Sequence, residues 1–234
     1  EGGYLPFEVD VTAQAAPGAE LRLTICVNNT LSFQSLPPGV MEAPYGGPPI
    51  QRYFHDFYNY AGLHRSVWLA AMPPVRFDDV TVTTDVDGAD GIVRSRAVTT
   101  ADAAVTQILR DAAGVEVARA DGPQVELRVP DATLWQPGKG YLYDLELQAV
   151  ADGEVVDSYH QKFGIRTVKV DGARFLINGE PFYFTGFGMH EDHTTVGKQH
   201  NDALMLRDYA CLDWIGANSI RTAHYPYSED FMDH

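Results

Sequence analysis

Between Leu21 and Val27 the chain alternates, with Leu21, Leu23, Ile25 and Val27 separated by Arg22, Thr24 and Cys26. A period of two predicts a strand with one buried face. Residues 36–50 (LPPGVMEAPYGGPPI) are dense in Pro and Gly and predict an irregular loop. Ser66-Val67-Trp68-Leu69-Ala70 again looks like a strand, closed by Pro73-Pro74. Over 75–168 short apolar runs recur around Val80-Val82, Gln107-Leu109, Val115-Val117, Val125-Leu127 and Leu142-Leu145. Asp87-Gly88, Asp121-Gly122 and Asp152-Gly153 mark turns between several of them. About seven short strands in about 100 residues predict an immunoglobulin-like sandwich, although no Cys–Trp–Cys core is present. Trp135, followed by Gln136-Pro137-Gly138, is expected to anchor a core or turn.

Past Gly164 the periodicity changes. Asn178-Gly179 predicts a type I′ hairpin turn, and Phe182-Tyr183-Phe184 a strand. Residues 201–216 read as a helix, with Asn201 as N-cap, Asp202 at the positive helix start and Gly216 as stop. Met205, Tyr209, Leu212 and Ile215 form its apolar stripe. A strand over 218–222 and a helix start at Ser228 follow. Strand, helix, strand, helix opens a βα-repeat fold. Residues 169–234 are too few for a complete (β/α)8 barrel, which takes about 250, so the sequence reads as an excerpt.

Composition narrows the function classes. A formal net charge of −15 argues against nucleic-acid and anionic-membrane partners. No apolar run approaches the ~18 residues of a membrane span, and no signal-peptide pattern is present. Cys26 and Cys211 lie far apart in apolar runs, so buried free thiols in a reducing, cytoplasmic setting are expected.

Three stretches carry candidate chemistry. In Phe54-His55-Asp56-Phe57-Tyr58-Asn59-Tyr60, a carboxylate, an amide and aromatic rings are what sugar recognition uses. A loop whose polar groups satisfy one another is the plainer reading of the same residues. In Gly186-Phe187-Gly188-Met189-His190-Glu191-Asp192-His193, the H-E-D-H spacing departs from the H-E-x-x-H of a helical metal site. The glycines predict a loop, and no metal is expected. In Arg221-Thr222-Ala223-His224-Tyr225-Pro226-Tyr227, the residues follow a strand, where a βα barrel collects its functional groups. Arg221 either positions carboxylates of the site or holds a neighbouring acid. His224, flanked by Tyr225 and Pro226, is the candidate donor to a sugar hydroxyl.

The run Asn218-Ser219-Ile220-Arg221-Thr222-Ala223-His224-Tyr225-Pro226 resembles the N-x-[apolar]-R-[small]-[small]-H-Y-P signature of glycoside hydrolase family 2. "EGGYLPFEVDVT", "YFHDFYNYAGLHRSV", "LWQPGKGYLYDL" and "FYFTGFGMHED" are similar to it as well, spanning almost the whole chain. The stretch around His55-Asp56-Phe57 is most like the branch that hydrolyses β-glucuronides. Met189 departs from the family, where a basic residue is common. The resemblance implies a multi-domain, mainly β protein. Residues 1–74 would be the later part of a sugar-binding-type jelly-roll sandwich, 75–168 an immunoglobulin-like sandwich, and 169–234 the start of a (β/α)8 catalytic barrel. It implies Asp56 and His224 as substrate contacts, with Arg221, His190, Glu191 and Tyr225 supporting them. It further implies a β-glucuronide or related glycoside substrate, no cofactor, and a homo-oligomer, commonly a tetramer. The retaining reaction needs two glutamates ~5–5.5 Å apart, and the family reads the glucuronate carboxylate with an Asn-x-Lys. None of these stands in its family context here, so no catalytic residue is assigned. Galactosidase or galacturonidase specificity, or a non-catalytic carbohydrate-binding or assembly module, are the alternatives.

Overall fold

The computed structural model of the chain describes residues 3–234. Two compact units divide it, Glu1–Trp68 with Thr185–His234 and, between them in sequence, Leu69–Phe184. The first segment is mostly extended chain and turns, with one antiparallel hairpin of β1 (Gly39–Glu42) and β2 (Ile50–Tyr53). Leu21–Val27 joins no ladder, and Leu23 remains 63% exposed. Ser66–Ala70 likewise forms no strand. Alternation supplies an apolar face, but a strand also needs a partner for its N–H and C=O groups. Among the described residues of this segment, β1–β2 is the only ladder.

The second unit is a sandwich. One antiparallel sheet orders β3 (Phe77–Asp87), β4 (Asp90–Thr99) and β7 (Gln124–Val129) as β3-β4-β7. The other orders β5 (Ala104–Arg110), β6 (Glu116–Asp121), β8 (Tyr143–Ala151) and β9 (Glu154–Phe163) as β6-β5-β8-β9. The division of seven strands into three and four is that of an immunoglobulin-like sandwich. Val93, Ala97, Leu127 and Val129 from one sheet meet Val105, Leu109, Leu145 and Leu147 from the other in one buried core. Trp135 is half-buried beside the sandwich, packed against Gly164 with the Arg166 guanidinium 4.4 Å above its ring centroid. A Cβ at Gly164 would stand 2.5 Å from the indole side chain, which explains the glycine. A small sheet of β10 (Val168–Asp171), β11 (Arg174–Ile177) and β12 (Glu180–Phe182) completes the unit. Its β11–β12 turn is Asn178-Gly179, both at positive φ as a type I′ turn requires. The predicted strand at 182–184 overlaps β12 only at Phe182.

The chain then returns to the first unit with β13 (Gly186–Met189), α1 (Asp202–Trp214), β14 (Ser219–Thr222) and α2 (Glu229–Asp233). β13 and β14 pair in parallel, in register Gly186↔Ser219 to Met189↔Thr222, with α1 as the crossover. This βαβ unit is the opening of a barrel wall. Gly186-Met189 is thus a strand rather than the expected loop. Its glycine is a packing requirement, since a Cβ on Gly186 would lie 1.8 Å from the Ser219 carbonyl oxygen. Asn201 caps α1, its side chain accepting from Leu204 N–H at 3.1 Å. At the other end the Ala217 N–H reaches the Leu212 carbonyl across Gly216 at φ +74°. Met205 is the buried member of the stripe, whereas Ile215 is exposed. Both cysteines are free, as expected, but exposed rather than buried. Cys26 lies in the unpaired extended segment and Cys211 on the outer face of α1. No helix among the described residues is long and apolar enough to cross a membrane.

Candidate functional site

His190 directly follows β13 and His224 comes two residues after β14, so both leave the C-terminal ends of parallel strands. Asp56 comes from the segment after β2, within the same unit. His224 Nε2 lies 3.1 Å from Asp56 Oδ2, and the His190 ring packs edge-on to His224 with centroids 5.6 Å apart. One donor atom each from Asp56, His190 and His224 falls within 4.8 Å of the others. Hydrogen bonding from His224, then the nearby imidazoles, hold the Asp56 carboxyl below its ordinary value. An ionised carboxylate only accepts, so Nε2 of His224 carries the proton between them. An acceptor beside a donor on an exposed rim matches a sugar hydroxyl, which does both. A divalent cation would find three donors of suitable type in the same place.

The loop around Asp56 combines both readings of its sequence. Tyr53 stacks on His55 with centroids 5.1 Å apart, the Phe57 ring lies tilted 4.3 Å from His55, and burial pushes the His55 imidazole down. Asn59 is used internally, donating to Asn29 O at 2.8 Å and Gln51 Oε1 at 3.1 Å. Asp56 is what remains for a ligand, its side chain 68% exposed.

Glu191 and Tyr225 form the support. Glu191 is buried and accepts from Arg65 Nη2 at 2.6 Å and from Ser228 N–H at 3.4 Å. Its own N–H donates to Tyr225 Oη at 2.8 Å. Ser228 Oγ also meets His200 Nδ1 at 2.9 Å while capping α2 through Phe231 N–H. Tyr227 stacks on Tyr225 and donates to the Met189 carbonyl. Burial pushes the Tyr225 phenol far up and that of Tyr227 to about 12, so neither ionises near neutrality. Arg221 is exposed on β14 opposite Gly188 and makes no ion pair or hydrogen bond with a described residue. It stands outside the cluster that Asp56, His190, His224, Glu191 and Tyr225 form.

One participant was not legible in the sequence. Lys198 is 4% exposed, and its Nζ has no hydrogen-bond partner among the described residues. It faces the rings of Tyr225, Phe57 and Tyr4, at 3.2, 4.3 and 5.1 Å from their centroids. The available signal was weak: Lys198 is the only lysine after Lys169, and it follows Gly197 in a loop rich in acids and histidines.

Two sequence patterns of one family match this chain, "Glycosyl hydrolases family 2" over residues 75–166 and "Glycosyl hydrolases family 2, TIM barrel domain" over 168–234. The chain belongs to glycosyl hydrolase family 2. It is 47% identical over 240 residues to a β-glucuronidase of Paenibacillus borealis, covering 100% of this chain and 40% of that protein. With the human β-glucuronidase it shares 43% over 251 residues, covering 99% and 39%. The β-glucuronidase of Ruminococcus gnavus, solved with D-glucaro 1,5-lactone, superposes with a TM-score of 0.84 at 38% identity, over 88% of this chain and 35% of that one. The chain therefore spans about two fifths of the length of these relatives.

Proposed function

We propose that this chain forms part of a hydrolase of β-D-glucuronides, acting with retention, and that it supplies the rim that grips the sugar. The observation that carries this reading is the Asp56–His224 contact at the end of β14. Asp56 would accept hydrogen bonds from hydroxyls of the glycone, and His224 would donate to a neighbouring oxygen. His190, Glu191 and Tyr225 would hold that pair, and Arg221, outside their cluster, would support the site from β14, the strand that leads to His224. The relatives' names support glucuronide as the substrate. On this reading 1–74 belongs to a jelly-roll-type layer, 75–168 to the second sandwich and 169–234 to the barrel. The parent protein would be a cytoplasmic homo-oligomer.

Retaining hydrolysis needs an acid/base carboxyl and a nucleophilic carboxylate ~5–5.5 Å apart. Glu191 is taken by Arg65 and Ser228, and Glu229 is exposed in the first turn of α2. Neither is placed for these roles, so the pair would come from residues other than these. The test is an assay of aryl β-glucuronide, β-galactoside and β-galacturonide with the 234-residue chain and with the longest natural polypeptide containing it. Glucuronide turnover by the longer form alone is expected. Turnover by the 234 residues by themselves, or a preference for another glycone, overturns the reading.

A further inference from the structure

A buried ammonium without a hydrogen-bond partner is costly, and an apolar side chain of similar length would fill the same space without that cost. Lys198 offsets part of it by facing three aromatic rings, which attract a cation through their negative faces. The identity of those rings is informative. Phe57 is the chain neighbour of Asp56, and Tyr225 is the chain neighbour of His224. Their centroids are 5.3 Å apart, and Tyr4 lies 6.0 Å from each. Lys198 thus touches both segments that present the rim pair, one from after β2 and one from after β14, while itself standing in the 190–200 loop. That loop is in turn pinned by the reciprocal His193–Gly197 backbone bonds, at 3.0 and 2.8 Å.

We propose that Lys198 is a positioning residue that sets the spacing of Asp56 and His224 by clamping Phe57 and Tyr225 through its charge. The clamp depends on a cation rather than on bulk. The charged groups that act on Lys198 are Asp192, Glu191 and Arg65, and desolvation outweighs them, bringing its ammonium down to about 8. The inference rests on the proposed sugar-binding role of Asp56 and His224 only for its functional consequence. Its test reads their geometry without any sugar, so it can fail independently of that role.

The experiment is nitrogen-15 NMR of the histidine rings in the 234-residue chain, as wild type, K198M, K198R and D56N. D56N supplies the His224 signal of a broken pair. The His224 signal of K198M is expected to move to that of D56N, and K198R to return it to the wild-type position. A folded K198M with an unchanged His224 signal overturns the proposal, as do equal displacements in K198M and K198R. If K198M does not fold, wild-type protein labelled with carbon-13 lysine decides. The Lys198 ε-CH2 signal should lie upfield of those of Lys139, Lys162 and Lys169, through the ring currents, and titrate near 8. A Lys198 signal that coincides with the other three and titrates near 10.5 overturns the proposal.

Discussion

At the residue scale, the rim pair and its support make separable predictions. Removing the Asp56 charge deletes a charge-assisted hydrogen bond to the sugar, which is about 10- to 100-fold in kcat/KM. Asp56→Asn should therefore lower glucuronide turnover by that factor while leaving the melting temperature near its original value, because Asp56 is exposed. Glu191→Ala should do the reverse in emphasis. It strands the half-buried Arg65 and leaves the Ser228 N–H without its acceptor, costing about 3 kcal/mol of stability by urea titration. Lys198 and the tyrosines give stability a signed pH dependence. The folded Lys198 titrates at about 8 and the unfolded at 10.5, so between them the unfolded chain binds more protons and stability rises with pH. The gain is at most about 3 kcal/mol over the full window. Tyr225 and Tyr227 are raised, so their contribution is complete below pH 10 and is lost as pH climbs further. Wild type minus K198M should show the rise between pH 8 and 10; a flat difference contradicts the buried ammonium. Histidines and acids stand out in a sequence because their chemistry is familiar. Lys198 did not, because its role depends on three rings far apart in the chain. Arg221 was singled out by its motif, yet its exposed side chain lies outside the cluster.

At the element scale, the βαβ unit rests on one close approach. Gly186→Ala would drive a methyl group into the Ser219 carbonyl and should cost about 1–3 kcal/mol as overpacking strain. Gly188→Ala meets nothing within 4 Å and serves as the control, expected within about 0.5 kcal/mol of wild type. Equal effects in chemical denaturation would contradict the register. The helix between these strands was legible because Asn201, the apolar stripe and Gly216 are local signals that agree. β14 was legible for a similar reason, a short segment between the Gly216 helix stop and the next helix start at Ser228. β13 was not, since a glycine-rich strand resembles a loop until the partner that demands the glycine is known. β4 and β9 were harder to read than their neighbours for a related reason. β4 carries the buried Ser95 between Arg94 and Arg96, and β9 is a half-exposed edge rich in polar residues.

At the scale of the whole molecule, the second unit was the most legible, since most of its strands show as short apolar runs between turn signals and its two sheets meet in one core. Leu145→Ala in that core should cost about 2–5 kcal/mol in the second unit's unfolding. The N-terminal segment was the least legible. Its alternation from Leu21 to Val27 is unmistakable, yet pairing is a property of two strands and cannot be read from one. The same limit produced the error over the cysteines, where apolar neighbours in sequence did not mean burial. Family membership came from short motifs, and the geometry adds what motifs lack, a contact between Asp56 and His224 across 168 residues. The most direct measurement is kcat/KM for an aryl β-glucuronide with the longest natural polypeptide containing this chain, as wild type and as D56N and H224A. Turnover that falls at least about 10-fold in each variant, with folding retained, is the predicted result. Wild-type protein without glucuronide turnover, or variants that match it, would contradict the assignment of this rim to the sugar.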